Sequence, residues 1–90
     1  MPLYTYIACY RGGTYADQDR QSNFKGFAAG VIGRMPDNCL PGIDNALRKS
    51  AVEAACRAVW ETVPNRTNVW QTTFDLNGSI FSLYAVQTQN

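Results

Sequence analysis

A dipeptide near the end of the chain constrains the fold more than any other feature of the sequence. Asn77-Gly78 is the pair favoured in two-residue type I′ turns, because both turn residues need positive φ. Apolar and polar residues alternate on both sides of it, over residues 69–76 and 79–86. The cross-strand pairs that this turn predicts are Trp70 with Ala85, Thr72 with Leu83 and Phe74 with Phe81. Turn chemistry and hydrophobic alternation therefore agree on one register for a C-terminal β-hairpin.

The two faces of this predicted hairpin differ in character. The face assigned to the core carries Trp70, Phe74, Leu76, Phe81, Leu83 and Ala85. The opposite face carries Val69, Gln71, Thr73, Asp75, Ile80, Ser82, Tyr84 and Val86. The first set is apolar and the second is mixed, which is typical of an antiparallel sheet that packs on a core with one side only.

A second hairpin is predicted at the N-terminus. Residues 3–10 are rich in β-branched and aromatic types, and residues 14–20 form a more polar return strand that suits a sheet edge. Gly12-Gly13 lies between them and supplies the positive φ of a tight turn. With these two glycines as the turn residues, the predicted pairs are Tyr10 with Tyr15 and Cys9 with Ala16. A longer loop that includes Arg11 would shift the register, and the sequence leaves both possibilities open.

The first of two helices is predicted over residues 24–35, with Ser22 or Asn23 as its N-cap and Pro36 at its end. Its apolar stripe at helical spacing consists of Phe24, Phe27, Ala28, Val31, Ile32 and Met35. A second ridge, of small residues that let another helix approach closely, consists of Gly26, Gly30 and Gly33.

The second helix is predicted over residues 44–62, with Asp44 as a possible N-cap and Pro64 beyond its end. A capping box from Ser50 to Glu53 would place the start later. Apart from a charged stripe, this segment is apolar or small, so we expect it to be buried over most of its circumference.

These elements predict an α+β fold in the order ββααββ. We expect a single domain over residues 1–90, built as a two-layer sandwich: a four-stranded antiparallel sheet with two helices packed on one face. The strand at residues 3–10 is apolar on both faces, so it belongs inside the sheet. The predicted strand order, numbered along the chain, is 2-1-4-3.

Composition excludes several functional classes. Eight Lys plus Arg against seven Asp plus Glu gives a net charge of +1, and the basic residues are dispersed, so nucleic-acid binding is disfavoured. The chain has no histidine, which rules out Cys-His and Ser-His nucleophile systems within it. We therefore expect a protein that is not an enzyme, with no catalytic residues, no metal ligands and no cofactor. Without a signal-peptide pattern or an apolar run of membrane-spanning length, the predicted location is cytoplasmic, with no membrane partner.

Individual reactive side chains carry weak signals. The chain has three cysteines, an odd number without paired spacing, so we expect free thiols. Cys9 and Cys56 are predicted to be small buried hydrophobic residues, and Cys39 is the candidate for thiol reactivity. Asp17 and Asp19 share a strand face, where solvated edge charge is a commoner role than acid–base or metal chemistry.

One positive feature concerns the tyrosines. Tyr4, Tyr6 and Tyr10 alternate along the first strand, and Tyr15 joins them across the turn. If Leu3, Ile7 and Cys9 face the helices, the rings share the outer sheet face with Val69, Ile80, Tyr84 and Val86. We favour this outward orientation over the reverse one, in which the tyrosines pack under the helices. Such an exposed aromatic and aliphatic patch is typical of a protein-binding surface.

The functional hypothesis is a small non-enzymatic protein-interaction module. It self-associates as a homodimer, or serves as an inhibitor or accessory subunit of a larger protein partner. Arg66 and Asn68, in the loop between helix and strand, are secondary candidates for binding. The alternative is binding of single-stranded nucleic acid or of a small ligand on the aromatic sheet face.

Overall fold

The computed structural model describes residues 1–89, without the side chains of residues 26–28. Its elements in chain order are β1 (Leu3–Tyr10), β2 (Gly13–Arg20), α1 (Lys25–Gly33), α2 (Asn45–Arg57), β3 (Glu61–Thr62), β4 (Val69–Leu76) and β5 (Ser79–Gln89). All strands belong to one antiparallel sheet in the order β2-β1-β5-β4-β3. The α+β class, the antiparallel sheet and the two helices are thus confirmed. No helix in the described part of the chain is long and apolar enough to cross a membrane.

The predicted strand number is wrong, because the sheet has five strands rather than four. The fifth, β3, comes from residues assigned by sequence to the second helix, so the element order is ββααβββ. Among the four long strands, the neighbours are those predicted. β5 is the central strand, and β3 extends the sheet beyond β4.

The second helix ends at Arg57, well before Pro64, for a tertiary reason. The hydroxyl of Thr72 on β4 donates a hydrogen bond to the carbonyl of Val59 at 2.9 Å. The ring of Trp60 packs edge-on against Phe24, with centroids 5.2 Å apart. These contacts hold the chain extended beside β4, where an extra helical turn would lose both.

The helix N-termini differ in how well the sequence predicted them. Asp44 is the N-cap of α2, and its carboxylate accepts a hydrogen bond from the Leu47 amide at 2.8 Å, as expected. The N-cap of α1 is Phe24 and not Ser22 or Asn23, and it forms no side-chain capping bond. The stripe residues Phe27 and Ala28 and the ridge residue Gly26 lie outside the described side chains.

α2 is less buried than predicted, since only Ala51 and Ala55 along it are fully buried. Cys56, Lys49, Glu53 and Arg57 are exposed, whereas Arg48 is half-buried and donates to the Met35 carbonyl at 3.1 Å. α2 packs against α1, where Val52 lies beside Gly33: a Cβ built on that glycine would come 3.9 Å from the Val52 side chain. The helix therefore presents one narrow stripe to the core.

The C-terminal hairpin has the predicted register. Trp70 pairs with Ala85, Thr72 with Leu83 and Phe74 with Phe81. Asn77 and Gly78 occupy the turn with φ of 52° and 86°, as a type I′ turn requires.

The N-terminal hairpin turns one residue earlier than the double glycine suggests. Arg11 and Gly12 are the turn residues, with φ of 49° and 82°, so Tyr10 pairs with Gly13 and not with Tyr15. Gly13 serves another purpose, because a Cβ on it would lie 2.6 Å from the ring of Pro41. The connector between the helices packs directly onto this position.

The expected outward orientation of the first-strand tyrosines is wrong. Tyr4, Tyr6 and Tyr10 are 4%, 1% and 1% exposed and form the centre of the core beneath the helices. Tyr6 donates to the Phe24 carbonyl at 2.7 Å, and Tyr10 donates to the Leu76 carbonyl at 2.8 Å. Burial is favourable because each ring removes a large apolar area from water while its hydroxyl keeps a partner.

Candidate protein-interaction surface

The side of the sheet opposite the helices forms the candidate surface, which we call the open face. Residues that pair directly across an antiparallel sheet share a face, so the strand register defines it. Its middle row runs across all five strands: Ala16, Ile7, Tyr84, Gln71 and Glu61. Tyr84 lies on the central strand and is half-buried between its neighbours Ile7 and Gln71.

Five of the apolar residues of the open face lie along a diagonal. It begins in the upper half of β1, near the hairpin turns, crosses β5 and ends at the opposite end of β4. We call this set the apolar diagonal; it consists of Cys9, Ile7, Tyr84, Val86 and Val69. Each member is half-buried, because strand neighbours cover its flanks while its outer surface faces away from the helices.

The charges of the open face lie at its margins. Arg20 is at the last position of β2, paired with Leu3, at one corner of the sheet. Asp75 lies near the other end of β4, paired with Ile80, at the diagonally opposite corner. Glu61 of β3 lies on the same side as Asp75. Within residues 1–89, none of these three charged groups forms a salt bridge.

Four of the predicted surface residues lie on this face: Val69, Ile80, Tyr84 and Val86. Ile80 is 62% exposed, one of the largest apolar exposures in the described chain. The predicted tyrosines do not join them, and Leu3, Ile7 and Cys9 take their place on β1. The predicted patch is therefore present with a different first-strand contribution.

Tyr15 also lies on the helix side of the sheet, opposite Ala8. It is half-buried, and its hydroxyl donates to Asp17 at 3.5 Å. Burial and the neighbouring Asp17 carboxylate raise the pKa of its phenol. All four tyrosines named as N-terminal surface candidates are thus on the opposite side from the open face.

Arg66 and Asn68 lie in the exposed loop between β3 and β4. The Arg66 guanidinium donates to the carbonyl of its neighbour Asn65 at 2.9 Å. The Asn68 carbonyl accepts from the Gln87 amide at 2.9 Å, and Asn68 has a φ of 62°. These bonds give the two residues a role in shaping the loop next to Val69.

A charge cluster on the helix side was missed by the sequence analysis. Arg34, just after α1, bonds Asp17 at 2.9 Å and lies 3.2 Å from Asp19. The other oxygen of each carboxylate accepts the amide of the following residue at 2.8 Å, from Gln18 and Arg20. The two aspartates therefore anchor a helix end and cover amides of the edge strand. Two features of the sequence hinted at this cluster: the aspartates share one face of their strand, and a helix follows that strand in the chain.

All three cysteines are free, as predicted, but the predicted burial of Cys9 and Cys56 is wrong. Cys56 is exposed and Cys9 is half-buried on the open face, so neither is a core residue. Cys39 is half-buried, and burial raises the pKa of its thiol, which lowers the thiolate fraction at neutral pH. Among the residues that the structure describes, no group of three or more Cys, Asp or Glu side chains is arranged to hold a metal ion.

Comparisons of the chain with protein-family models, with curated protein sequences and with solved structures each gave no match. The fold and the open face therefore carry the functional argument by themselves. They define an α+β protein whose sheet packs on helices with one face and presents a mixed, weakly charged surface with the other.

Proposed function

We propose that this chain is a non-enzymatic protein-interaction module and that the open face is its docking surface. The observation that carries the proposal is the position of the apolar residues. Five of them form a continuous band on a face that neither of the described helices covers, and Tyr84 is at its centre. Protein interfaces concentrate their binding energy in central aromatic residues that are surrounded by a polar rim.

The charge distribution of the open face supports the same proposal. The three charged side chains on its strands, Arg20, Asp75 and Glu61, lie at the margins. The inner positions are apolar or carry hydroxyl and amide groups, which lose less free energy on leaving water than charges do. A partner protein that docks here therefore removes apolar and weakly polar groups from water at the centre, while the charged groups stay at the rim.

The alternative function is binding of single-stranded nucleic acid or of a small ligand on an aromatic sheet face, and the position of the tyrosines disfavours it. Base stacking on the sheet required the rings of Tyr4, Tyr6 and Tyr10, which are buried. On the open-face strand positions that the structure describes, Tyr84 is the one aromatic residue. We therefore favour a protein as the partner.

A matched pair of substitutions tests the proposal. Ile80 on the open face and Val59 beyond α2 are both exposed aliphatic residues, at 62% and 80%. We expect Ile80→Lys to abolish capture of bound protein on an affinity resin, while Val59→Lys retains it. Capture would be measured with the purified chain itself and with extracts of the source cells, and the melting temperature of each variant would be recorded as a folding control.

The contrast between the two variants decides the outcome. Capture that is lost only with Ile80→Lys supports docking on the open face. Equal capture by both variants, or no bound protein with the unmodified chain, overturns the proposal.

A further inference from the structure

We infer that the occupant of the open face is a second copy of this chain, docked so that Arg20 of each copy meets the acidic margin of Glu61 and Asp75 of the other. This inference rests on the proposed function and specifies its partner. The two sheets face each other across a two-fold axis that lies between them and runs along the apolar diagonal. Their strands cross at a steep angle, as in orthogonal sheet packing.

The arrangement of apolar residues favours this axis. A two-fold axis along the apolar diagonal places the diagonal of one copy on that of the other. Tyr84 of one copy then packs among Ile7, Val86 and Tyr84 of the second. A surface that matches itself under rotation is the requirement for a C2 dimer, the commonest oligomer of soluble proteins.

The charges obey the same symmetry. Arg20 and Asp75 are at diagonally opposite corners, on either side of the proposed axis. Rotation about the axis carries each Arg20 across to the partner's acidic margin of Asp75 and Glu61, and Glu61 is the nearer of the two in the strand register. Among residues 1–89, the Arg20 guanidinium donates to uncharged oxygens, those of Met1 and Gln89, both at 3.0 Å. Charge complementarity therefore selects this orientation.

In the same arrangement, the exposed Ile80 contacts the second copy. It lies at the end of β5 near the turns, and the rotation brings it beside Thr14 and Ala16 at the partner's β2 margin. Ala16 also lines a shallow depression of about 580 Å³ together with Thr5, Asp17 and Gln18. An isoleucine side chain fills part of such a depression.

The area of the open face indicates how tightly the two copies should bind each other. Strands about 4.8 Å apart that rise about 3.3 Å per residue give a four-stranded, eight-residue face of roughly 500 Å². Two such faces, with the contribution of β3, bury about 1,000–1,200 Å², at the lower end of specific interfaces. We therefore expect a reversible dimer with a dissociation constant in the micromolar range.

The test is sedimentation equilibrium on the full chain, from about 1 to 500 µM, on unmodified protein and five variants, one of which is the Ile80→Lys of the docking test. We expect the unmodified chain to shift from one to two subunits as concentration rises. Tyr84→Ala, which removes the central ring without touching the core, should weaken the dimer about tenfold or more. Arg20→Asp and Glu61→Arg should each weaken it about three- to tenfold, and the double variant should recover most of the loss. Melting curves at the lowest concentration confirm that each variant is folded.

Each result has a separate meaning. A chain of one subunit at every concentration overturns the second-copy inference, while loss of other captured proteins with Ile80→Lys would still support the proposed function. A dimer that shows no recovery in the double charge reversal overturns this orientation. A dimer that is insensitive to both Tyr84→Ala and Ile80→Lys uses another surface, and then both proposals fail.

Discussion

The Nη2 atom of Arg34 lies 2.9 Å from the Oδ2 atom of Asp17, and this bond joins the C-terminal end of α1 to the edge strand β2. The Arg34 hydrogen bond is the main reason that the pKa of Asp17 lies below its ordinary value. The Gln18 amide adds to this effect, and partial burial opposes it. The ion pair connects two elements that share few other contacts.

The lowered pKa predicts a stability contribution that depends on pH. A carboxyl group whose pKa is lower in the folded state than in the unfolded state stabilises the fold above the unfolded value of about 3.8. That contribution decreases as pH falls through the folded pKa. We expect Asp17→Asn to lower the free energy of unfolding at about pH 7 by up to roughly 1 kcal/mol, since the pair is partly exposed. The difference should shrink as pH falls below 4, measured by urea denaturation at a series of pH values.

Asp75→Asn is the control for this prediction. Asp75 is exposed on the open face and forms no salt bridge within the described chain. At protein concentrations where the chain is monomeric, its substitution should leave the free energy of unfolding unchanged within about 0.5 kcal/mol at each pH. An Asp17→Asn difference that stays constant down to about pH 2.5 would show that the carboxylate charge is not the cause.

The buried tyrosines allow a second prediction. Tyr10→Phe keeps the ring in the core but leaves the Leu76 carbonyl without its donor. We expect a loss of about 1–2 kcal/mol in unfolding free energy, because a buried acceptor without a partner retains its desolvation cost. For a domain of this size, that corresponds to a fall of roughly 4–16 °C in melting temperature.

Tyr84→Phe provides the comparison on the open face, away from the core cluster. Its expected effect on the stability of the monomer is within about 0.5 kcal/mol. If both tyrosine substitutions changed stability equally, the hydroxyl of Tyr10 would have no special role in the core.

Local chemistry made the C-terminal hairpin predictable. The Asn77-Gly78 turn and the alternation around it concern residues that are close in sequence, and the pairing follows from them directly. Asp44 was also identifiable as a cap, because capping depends on bonds within one helical turn.

The orientation of β1 could not be read in the same way. Leu3 and Ile7 on one face are as apolar as Tyr4 and Tyr6 on the other, so alternation does not choose between them. The orientation of β1 depends on the backbone carbonyl groups that accept hydrogen bonds from the tyrosine hydroxyls. For Tyr6 and Tyr10 these are 18 and 66 residues away in the chain, and sequence patterns do not reveal them. The location of the candidate surface followed from the hairpin, but its first-strand members did not.

Tertiary contacts also explain the missed strand and the missed ion cluster. The helical pattern continues past Arg57, yet the hydrogen bond from Thr72 to Val59 holds that segment extended. Arg34 meets Asp17 only because α1 folds back over β2. In both cases a contact between elements decides the outcome, and propensity over a short window does not contain it.

The contact between Gly13 and the connector gives a third prediction. A Cβ at this position would lie 2.6 Å from Pro41 and 3.3 Å from Leu40, so one of them must move. We expect Gly13→Ala to cost about 1–3 kcal/mol, as overpacking in other proteins does. Pro41 is exposed, and the double variant with Pro41→Ala should recover most of that cost. Unfolding free energies of the two single variants and the double variant measure the coupling; additive losses would contradict the predicted contact.

The three thiols should differ in their rates of modification. Cys56 is exposed on α2, Cys9 is half-buried on the open face, and Cys39 is half-buried with a raised thiol pKa. Because the thiolate is the reactive form, we expect Cys56 to react first with a maleimide and Cys39 last, at about pH 7.5. Peptide mass spectrometry after timed labelling measures the order, and labelling in denaturant, where the three rates should converge, is the control. At concentrations where the open face is covered by a second copy, Cys9 should become slower while Cys56 keeps its rate, because only Cys9 lies on the apolar diagonal. Rapid labelling of Cys39 in the folded protein would contradict this order and would show that Cys39 is a reactive thiol despite the burial that raises its pKa.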